Sequence, residues 1–201
     1  VGSHRFRILF EGVQNHAGTT RMARRKDAGV SLVRLATAIN DRFAALGNER
    51  TVWTTGQISI EPGSPSIVPG KGEMVFQFRD TNPELLAKLG NELNALVAEA
   101  AEGPCKVTLV TTGITTPAVM DPRFQDALEA SAVTYAPGKF QRMPSGAGHD
   151  AQILAGIMPS GMLFVPSIDG VSHHYSEDTK DEDLVLGCQV FVDAAAALLG
   201  D

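Results

Sequence analysis

The stretch Gly72-Glu73-Met74-Val75-Phe76-Gln77-Phe78-Arg79-Asp80-Thr81-Asn82-Pro83-Glu84-Leu85 decides the fold of the first half of the chain. Met74, Phe76 and Phe78 alternate with Glu73, Gln77 and Arg79, the period of two that turns one face of a strand toward a core. The period then changes. Asn82 is placed to cap exposed amides, and Pro83 loses no needed hydrogen bond at the first helical position. Leu85, Leu89, Leu93, Leu96 and Val97 follow as an apolar stripe ending near Gly103.

Upstream, Thr51 to Ile60 alternates through Val52, Thr54, Ile58 and Ile60 and is joined to Gly72–Asp80 by the turn-rich Glu61-Pro62-Gly63-Ser64-Pro65-Ser66, so two antiparallel strands are predicted. Between Lys26 and Gly47, Ala28, Leu32, Leu35, Ile39, Phe43 and Leu46 recur every three or four residues, an amphipathic helix that Gly47 can stop. Phe6, Ile8 and Phe10 mark a first strand, and Cys105, Val107 and Leu109 a last one. The order strand, helix, strand, strand, helix, strand is that of a ferredoxin-like βαββαβ unit, two helices over one face of a four-stranded antiparallel sheet, spanning residues 1–114.

Residues 115–201 have the texture of an α/β arrangement. A helix is predicted over Pro122 to Tyr135, a strand over Phe140 to Met143, a helix after Ser145-Gly146-Ala147-Gly148, and a buried strand over Met162-Leu163-Phe164-Val165. Thr179-Lys180-Asp181-Glu182 has capping-box spacing and opens a helix to Leu199. Two strands and three helices make a thin sheet with open edges. The expectation is therefore a portion of a longer protein, with further strands outside these residues.

Composition narrows the function classes. Of 201 residues, 43% are hydrophobic and 20% charged, which excludes a disordered chain, and 17 Lys and Arg against 23 Asp and Glu give a net charge of −6. Nucleic acid is not the expected partner. The apolar runs 161–166 and 194–199 are far shorter than the roughly 20 residues of a membrane span. Two cysteines, Cys105 and Cys188, make no disulfide framework, and without a visible secretory signal a reducing, cytoplasmic compartment is expected.

Three clusters can carry chemistry. His16, within Asn15-His16-Ala17-Gly18-Thr19-Thr20 in the loop after the first strand, either caps the following helix or serves as a donor to a developing oxyanion. Gly148 and His149, within Ser145-Gly146-Ala147-Gly148-His149-Asp150, form either a tight turn or a set of backbone amides suited to a carboxylate. His173 and His174, in the polar loop Ser172–Glu177 after the predicted buried strand, are candidate metal ligands with Glu177 and Asp178 as their partners. A catalytic zinc takes three protein ligands plus water, so either no metal binds or the other ligands lie elsewhere. Arg79 points away from the Phe76 and Phe78 face and is either solvated or a fork for a carboxylate. His4, at the mouth of the first strand, is expected to be exposed.

Taken together, Asn15 to Met22, Ile67-Val68-Pro69-Gly70, Phe78-Arg79-Asp80, Ser145 to Ala151 and Ser172 to Thr179 resemble the hydantoinase/carbamoylase branch of the M20 metallopeptidase-like amidohydrolases, over nearly the whole chain. The resemblance implies a dimerisation or lid domain followed by the C-terminal part of an α/β metallohydrolase domain, with most metal ligands and the general base in an N-terminal part outside this chain. It implies a homodimer acting on small N-carbamoyl or ureido amino acids with a divalent metal pair, zinc or manganese, which these residues alone do not fully bind. Residue by residue, it makes His16 the lid histidine that polarises the scissile carbonyl at the partner subunit's site and Arg79 the clamp for the substrate carboxylate. Gly148 and His149 become substrate contacts and His173 the last metal ligand. Ser66 stands where many members have a substrate-contacting Asn, and Tyr175 where most have Pro after the metal-binding histidine. The isolated chain is expected to be inactive. Two rival expectations are a non-catalytic dimerisation or binding module and an M20 peptidase or deacylase.

Overall fold

The computed structural model describes residues 1–200, which form two compact units: Val1–Pro117 with Ser145–Ala147, and Ala118–Pro144 with the residues from Gly148 onward. The first holds a four-stranded antiparallel sheet in the order β3-β5-β1-β6, built from β1 (Gly2–Glu11), β3 (Val52–Glu61), β5 (Lys71–Asp80) and β6 (Lys106–Thr115). Two short strands, β2 (Asn15–His16) and β4 (Ile67–Val68), pair separately. Helices α1 (Ala28–Leu46) and α2 (Pro83–Ala101) pack on the sheet and on each other.

The core is the even-numbered face of β1 and β5 against the two helical stripes. Phe6, Ile8, Phe10, Met74, Phe76 and Phe78 are buried under Leu32, Ile39, Phe43, Leu89 and Leu93. Phe43 meets Phe76 and Phe78 edge-on at 5.5 and 5.2 Å between ring centres, the geometry aromatic quadrupoles favour. Burial of each such side chain contributes about 2–3 kcal/mol, which makes this interface the main source of the unit's stability.

The turn from β5 into α2 is closed by side-chain hydrogen bonds, from the exposed Asn82 and the buried Asp80 and Thr51. The Asn82 side chain accepts hydrogen bonds from the amides of Glu84 and Leu85 at 2.8 and 3.1 Å. The Asp80 carboxylate accepts from the Asn82 amide at 2.8 Å and from Thr51 Oγ1 at 2.6 Å, tying β5 to the residue before β3.

Two expectations in this unit need correction. His4 is not exposed: it lies on the inward face, its ring 5.0 Å from that of Phe78, and burial lowers its pKa below the usual 6.5. The uniform alternation expected over Thr51–Ile60 is broken. Trp53 and Thr55 pair with Phe78 and Phe76, but after a register shift Gln57 and Ile58 pair with Val75 and Met74, leaving Gly56 as the extra residue of a bulge. The inward set is thus Trp53, Thr55, Ile58 and Ile60, and Val52 is on the opposite face. One inserted residue reverses the parity of everything before it.

The second unit contains α3 (Pro122–Tyr135), α4 (Asp150–Leu154) and α5 (Asp181–Leu199). Asp121 caps α3 through the Arg123 amide at 2.9 Å. Helices α3 and α5 pack together, burying Ser131 and Ala132 on one and Val190 and Ala194 on the other. The predicted strands at Phe140–Met143 and Met162–Val165 are not formed, and Leu163 and Phe164 are exposed. A strand needs a neighbour to take its amides and carbonyls, and among the described residues of this unit no segment offers a ladder. The capping box at Thr179 is also absent: Lys180 occupies the N-cap of α5 with no side-chain bond to the helix. No helix among the described residues is long and apolar enough to cross a membrane.

Candidate functional site

His16 is carried by a compact arm at the end of the sheet. The arm forms because β2 and β4 pair, with His16 opposite Ile67, and because flanking backbone groups close around them. Gly12 N–H donates to the Gly70 carbonyl at 2.8 Å, Ala17 N–H to the Ser66 carbonyl at 2.9 Å, and Ala28 N–H to the Pro69 carbonyl at 3.1 Å. The crossing is too close for a side chain at residue 12, where a Cβ would stand 2.1 Å from the Lys26 carbonyl oxygen.

Within the arm the imidazole is exposed at its rim and engaged at one nitrogen. Nδ1 of His16 accepts from the amides of Gly18 at 3.0 Å and Thr19 at 3.3 Å. Amides only donate, so Nδ1 presents its lone pair and the proton of the neutral ring resides on Nε2. The His16 carbonyl is occupied by Thr20 Oγ1 at 2.7 Å and the Thr20 amide at 3.1 Å. The arrangement leaves one ring N–H to donate to an external acceptor, which suits stabilisation of negative charge developing on a carbonyl oxygen. Ser66 belongs to the same arm: its carbonyl receives the Ala17 amide and its own amide donates to Ser64 Oγ at 3.3 Å.

Arg79 is elsewhere. It lies near the far end of β5, on the face opposite Phe76 and Phe78, paired with Ser3 and Val52, and its guanidinium donates to Gln77 Oε1 at 3.3 Å. The arm adjoins Lys71 at the start of β5, and the eight steps from Lys71 to Arg79 amount to roughly 27 Å of strand. One chain therefore does not bring His16 and Arg79 together around a small molecule.

In the second unit, His149 occupies the N-cap of α4, with its ring 5.3 Å from that of Phe164. Helix α4 has only five residues, barely more than one turn, so its dipole is small. A Cβ added at Gly148 would meet nothing within 4 Å, so the residue sits in open space with room for a ligand to approach.

The two adjacent histidines differ. His173 has a left-handed backbone, φ 58°, and its amide donates to Glu177 Oε2 at 2.7 Å; Ser172 Oγ lies 3.4 Å from the other oxygen of the same carboxylate. The exposed His174 ring bonds within its own loop, with Nδ1 2.8 Å from Ser176 Oγ and its ring beside that of Tyr175. Glu177, which the sequence offered as a partner for a histidine ring, instead pins the loop backbone. Among the described residues, no three His, Cys, Asp or Glu side chains gather where they could hold a metal ion. One imidazole at residue 173 does not fit a divalent pair, so these residues do not by themselves make such a centre.

One polar residue was invisible to motif reading. Arg25, between the 3-10 turn Met22–Arg24 and α1, donates to two carbonyls of the His16 turn. It lies in a segment with no helical or strand period, and its partners are backbone atoms, so no side-chain pattern announces it.

Comparison with known proteins adds the family. The profile described as peptidase family M20/M25/M40 matches residues 9–197. The chain is 31% identical to the allantoate amidohydrolase of Escherichia coli strain K12, over 93% of this chain and 45% of that protein. It is 32% identical to the N-carbamoyl-L-amino-acid amidohydrolase of Paenarthrobacter aurescens, over 98% of this chain and 48% of that protein. Among solved structures, an amidase of the hydantoinase/carbamoylase family from Burkholderia phymatum superposes with a TM-score of 0.88 at 45% identity, over 99% of this chain and 48% of that one. The chain thus spans about half the length of the relatives it matches.

Proposed function

The chain belongs to the M20/M25/M40 peptidase family, and from that premise we propose that the complete enzyme hydrolyses the C–N bond of N-carbamoyl or related ureido amino acids. Residues 1–114 act as a ferredoxin-like lid and dimerisation domain, and residues 115–201 as the C-terminal part of the α/β catalytic domain. The single observation that carries the reading is the His16 imidazole, exposed at the tip of the β2–β4 arm with Nδ1 occupied and Nε2–H left to donate.

In this reading Nε2–H of His16 donates to the scissile carbonyl as it gains negative charge, a contribution of order 10²–10³ in rate for one such donor. Arg79 forks the substrate carboxylate, and Gly148 and His149 contact the substrate. The hydroxyl of Ser66, beside His16 in the arm, offers a shorter contact than the Asn of many relatives and leaves space for a different substituent. His173 supplies one ligand of a divalent metal pair whose remaining ligands and general base come from outside these residues. That pair, when bound, supplies an activated water.

Two features support the division of labour. The roughly 27 Å between the arm and Arg79 favours a homodimer in which His16 serves the partner's site while Arg79 serves its own. Helix α5 leaves Val185, Phe191 and Val192 exposed while burying Val190 and Ala194 on its other side, the distribution of a helix meant to be covered all round. It awaits strands of the complete catalytic domain. The residues described here are then inactive alone. With its net acidic charge, the enzyme takes a small ureido acid rather than nucleic acid, and we place it in the cytoplasm.

The test is substrate profiling of the complete enzyme with added Mn²⁺ or Zn²⁺. Ammonia release from N-carbamoyl amino acids and allantoate-like ureido acids is expected, with N-acyl amino acids and dipeptides left intact. Cleavage of the dipeptides or acyl substrates alone would replace this reading with a peptidase or deacylase.

A further inference from the structure

We propose that Arg25 is a positioning residue for His16, clasping the turn on its far side so that the imidazole is held as an Nε2–H donor; the inference rests on the reading of His16 as the group that polarises the scissile carbonyl. Arg25 Nε donates to the Thr20 carbonyl at 3.0 Å and Nη2 to the Ala17 carbonyl at 2.5 Å. These two oxygens bracket the residues whose amides hold the ring, Gly18 and Thr19.

The link is covalent as well as spatial. The Ala17 carbonyl and the Gly18 amide belong to one peptide unit, which is planar and trans, so its C=O and N–H point in opposite directions. When Arg25 takes the oxygen on one side, the N–H on the other side is aimed at His16 Nδ1. A guanidinium is suited to this because its donors form a rigid fork able to reach two acceptors at once, which a single ammonium cannot reproduce. Arg25 is in turn oriented from the body of the unit. Its Nη1 lies 3.9 Å from Asp27 Oδ2, both side chains being largely buried, and Asp27 Oδ1 accepts the Val30 amide at 3.0 Å as the cap of α1. The path therefore runs from the core-packed helix α1 through Asp27 and Arg25 to the Gly18 amide and the ring. Gly18 allows the last step: a Cβ there would stand 3.2 Å from His16 Cε1.

The experiment uses the complete enzyme labelled with ¹⁵N-histidine, read by two-bond proton–nitrogen correlation at alkaline pH, where the His16 signal is identified by its loss in His16→Ala. The parent should show a pure Nε2–H tautomer. Arg25→Gln should give a mixture of tautomers and lower kcat by tenfold or more at nearly unchanged KM, since a small displacement of a catalytic group is enough for such a loss. Arg25→Lys should restore part of both. Should Arg25→Gln fail to fold, Asp27→Asn keeps a capping oxygen for the Val30 amide but removes the charge that orients Arg25, and should mix the tautomers in the same direction; an unchanged Nε2–H signature there would overturn the proposal.

An unchanged Nε2–H signature and wild-type kcat in Arg25→Gln, with His16→Ala slow, would overturn the proposal while leaving the role of His16 intact. The converse, scrambled tautomers in Arg25→Gln but full activity in His16→Ala, would uphold the positioning and remove the catalytic reading of His16.

Discussion

His4 carries the pH dependence of the first unit that can be read from one residue. Its ring packs 5.0 Å from Phe78 and 6.4 Å from Phe6, and burial lowers its pKa from the usual 6.5. The neutral ring is favoured in the folded protein, so the unfolded chain binds more protons as pH falls through the unfolded value. Stability is therefore fully present above about pH 6.5 and declines below it. Urea midpoints measured between pH 7.5 and 5.5 should fall in the parent and fall less in His4→Phe; equal slopes would show that His4 does not titrate against its burial. A histidine alternating with arginines reads as a strand mouth, and nothing in its neighbours reveals that Phe78, 74 residues later, covers it. The same holds at His16. Its residue type and small neighbours announce a functional loop, but the choice of tautomer depends on two amides in a turn whose shape is set by Arg25.

At the scale of elements, local chemistry was visible wherever it was local. Pro83 after Asn82 and Pro122 after Asp121 start α2 and α3, and in both the preceding side chain accepts the first free amides. Thr179 matches the spacing of a cap equally well and does not act as one, because the chain enters α5 one residue later, at Lys180. Asn82→Ala should thus cost about 1 kcal/mol in urea denaturation while Thr179→Ala stays within a few tenths; equal costs would contradict the observed helix start. Strands followed a different rule. The alternation in β1 and β5 survives because both lie inside the sheet, but β3 is an edge strand whose Gly56 bulge offsets its pattern, and periodicity carries no mark of a bulge. The apolar run 162–165 has the composition of a buried strand and lacks a partner among the described residues, so composition and ladder part company there.

For the whole molecule, the length of one strand bears directly on how the proposed active site is put together. β5 begins beside the arm bearing His16 and carries near its far end the arginine proposed to hold the substrate carboxylate, roughly 27 Å away, several times the span of a ureido amino acid. In the homodimer proposed above, two-fold symmetry lets the histidine of one protomer meet the arginine of the other. Motif order names both residues, but their separation is a property of the sheet, visible only once the register of β5 against β1 and β3 is fixed. The most direct measurement is complementation in the complete enzyme. His16→Ala and Arg79→Ala, each nearly inactive alone, are unfolded and refolded together in equal amounts and assayed for ammonia release from an N-carbamoyl amino acid. Shared sites predict recovery of about a quarter of parental activity, since half of the dimers are mixed and each mixed dimer regains one of its two sites; activity no higher than that of either variant alone would place both residues at the same protomer's site and contradict the account.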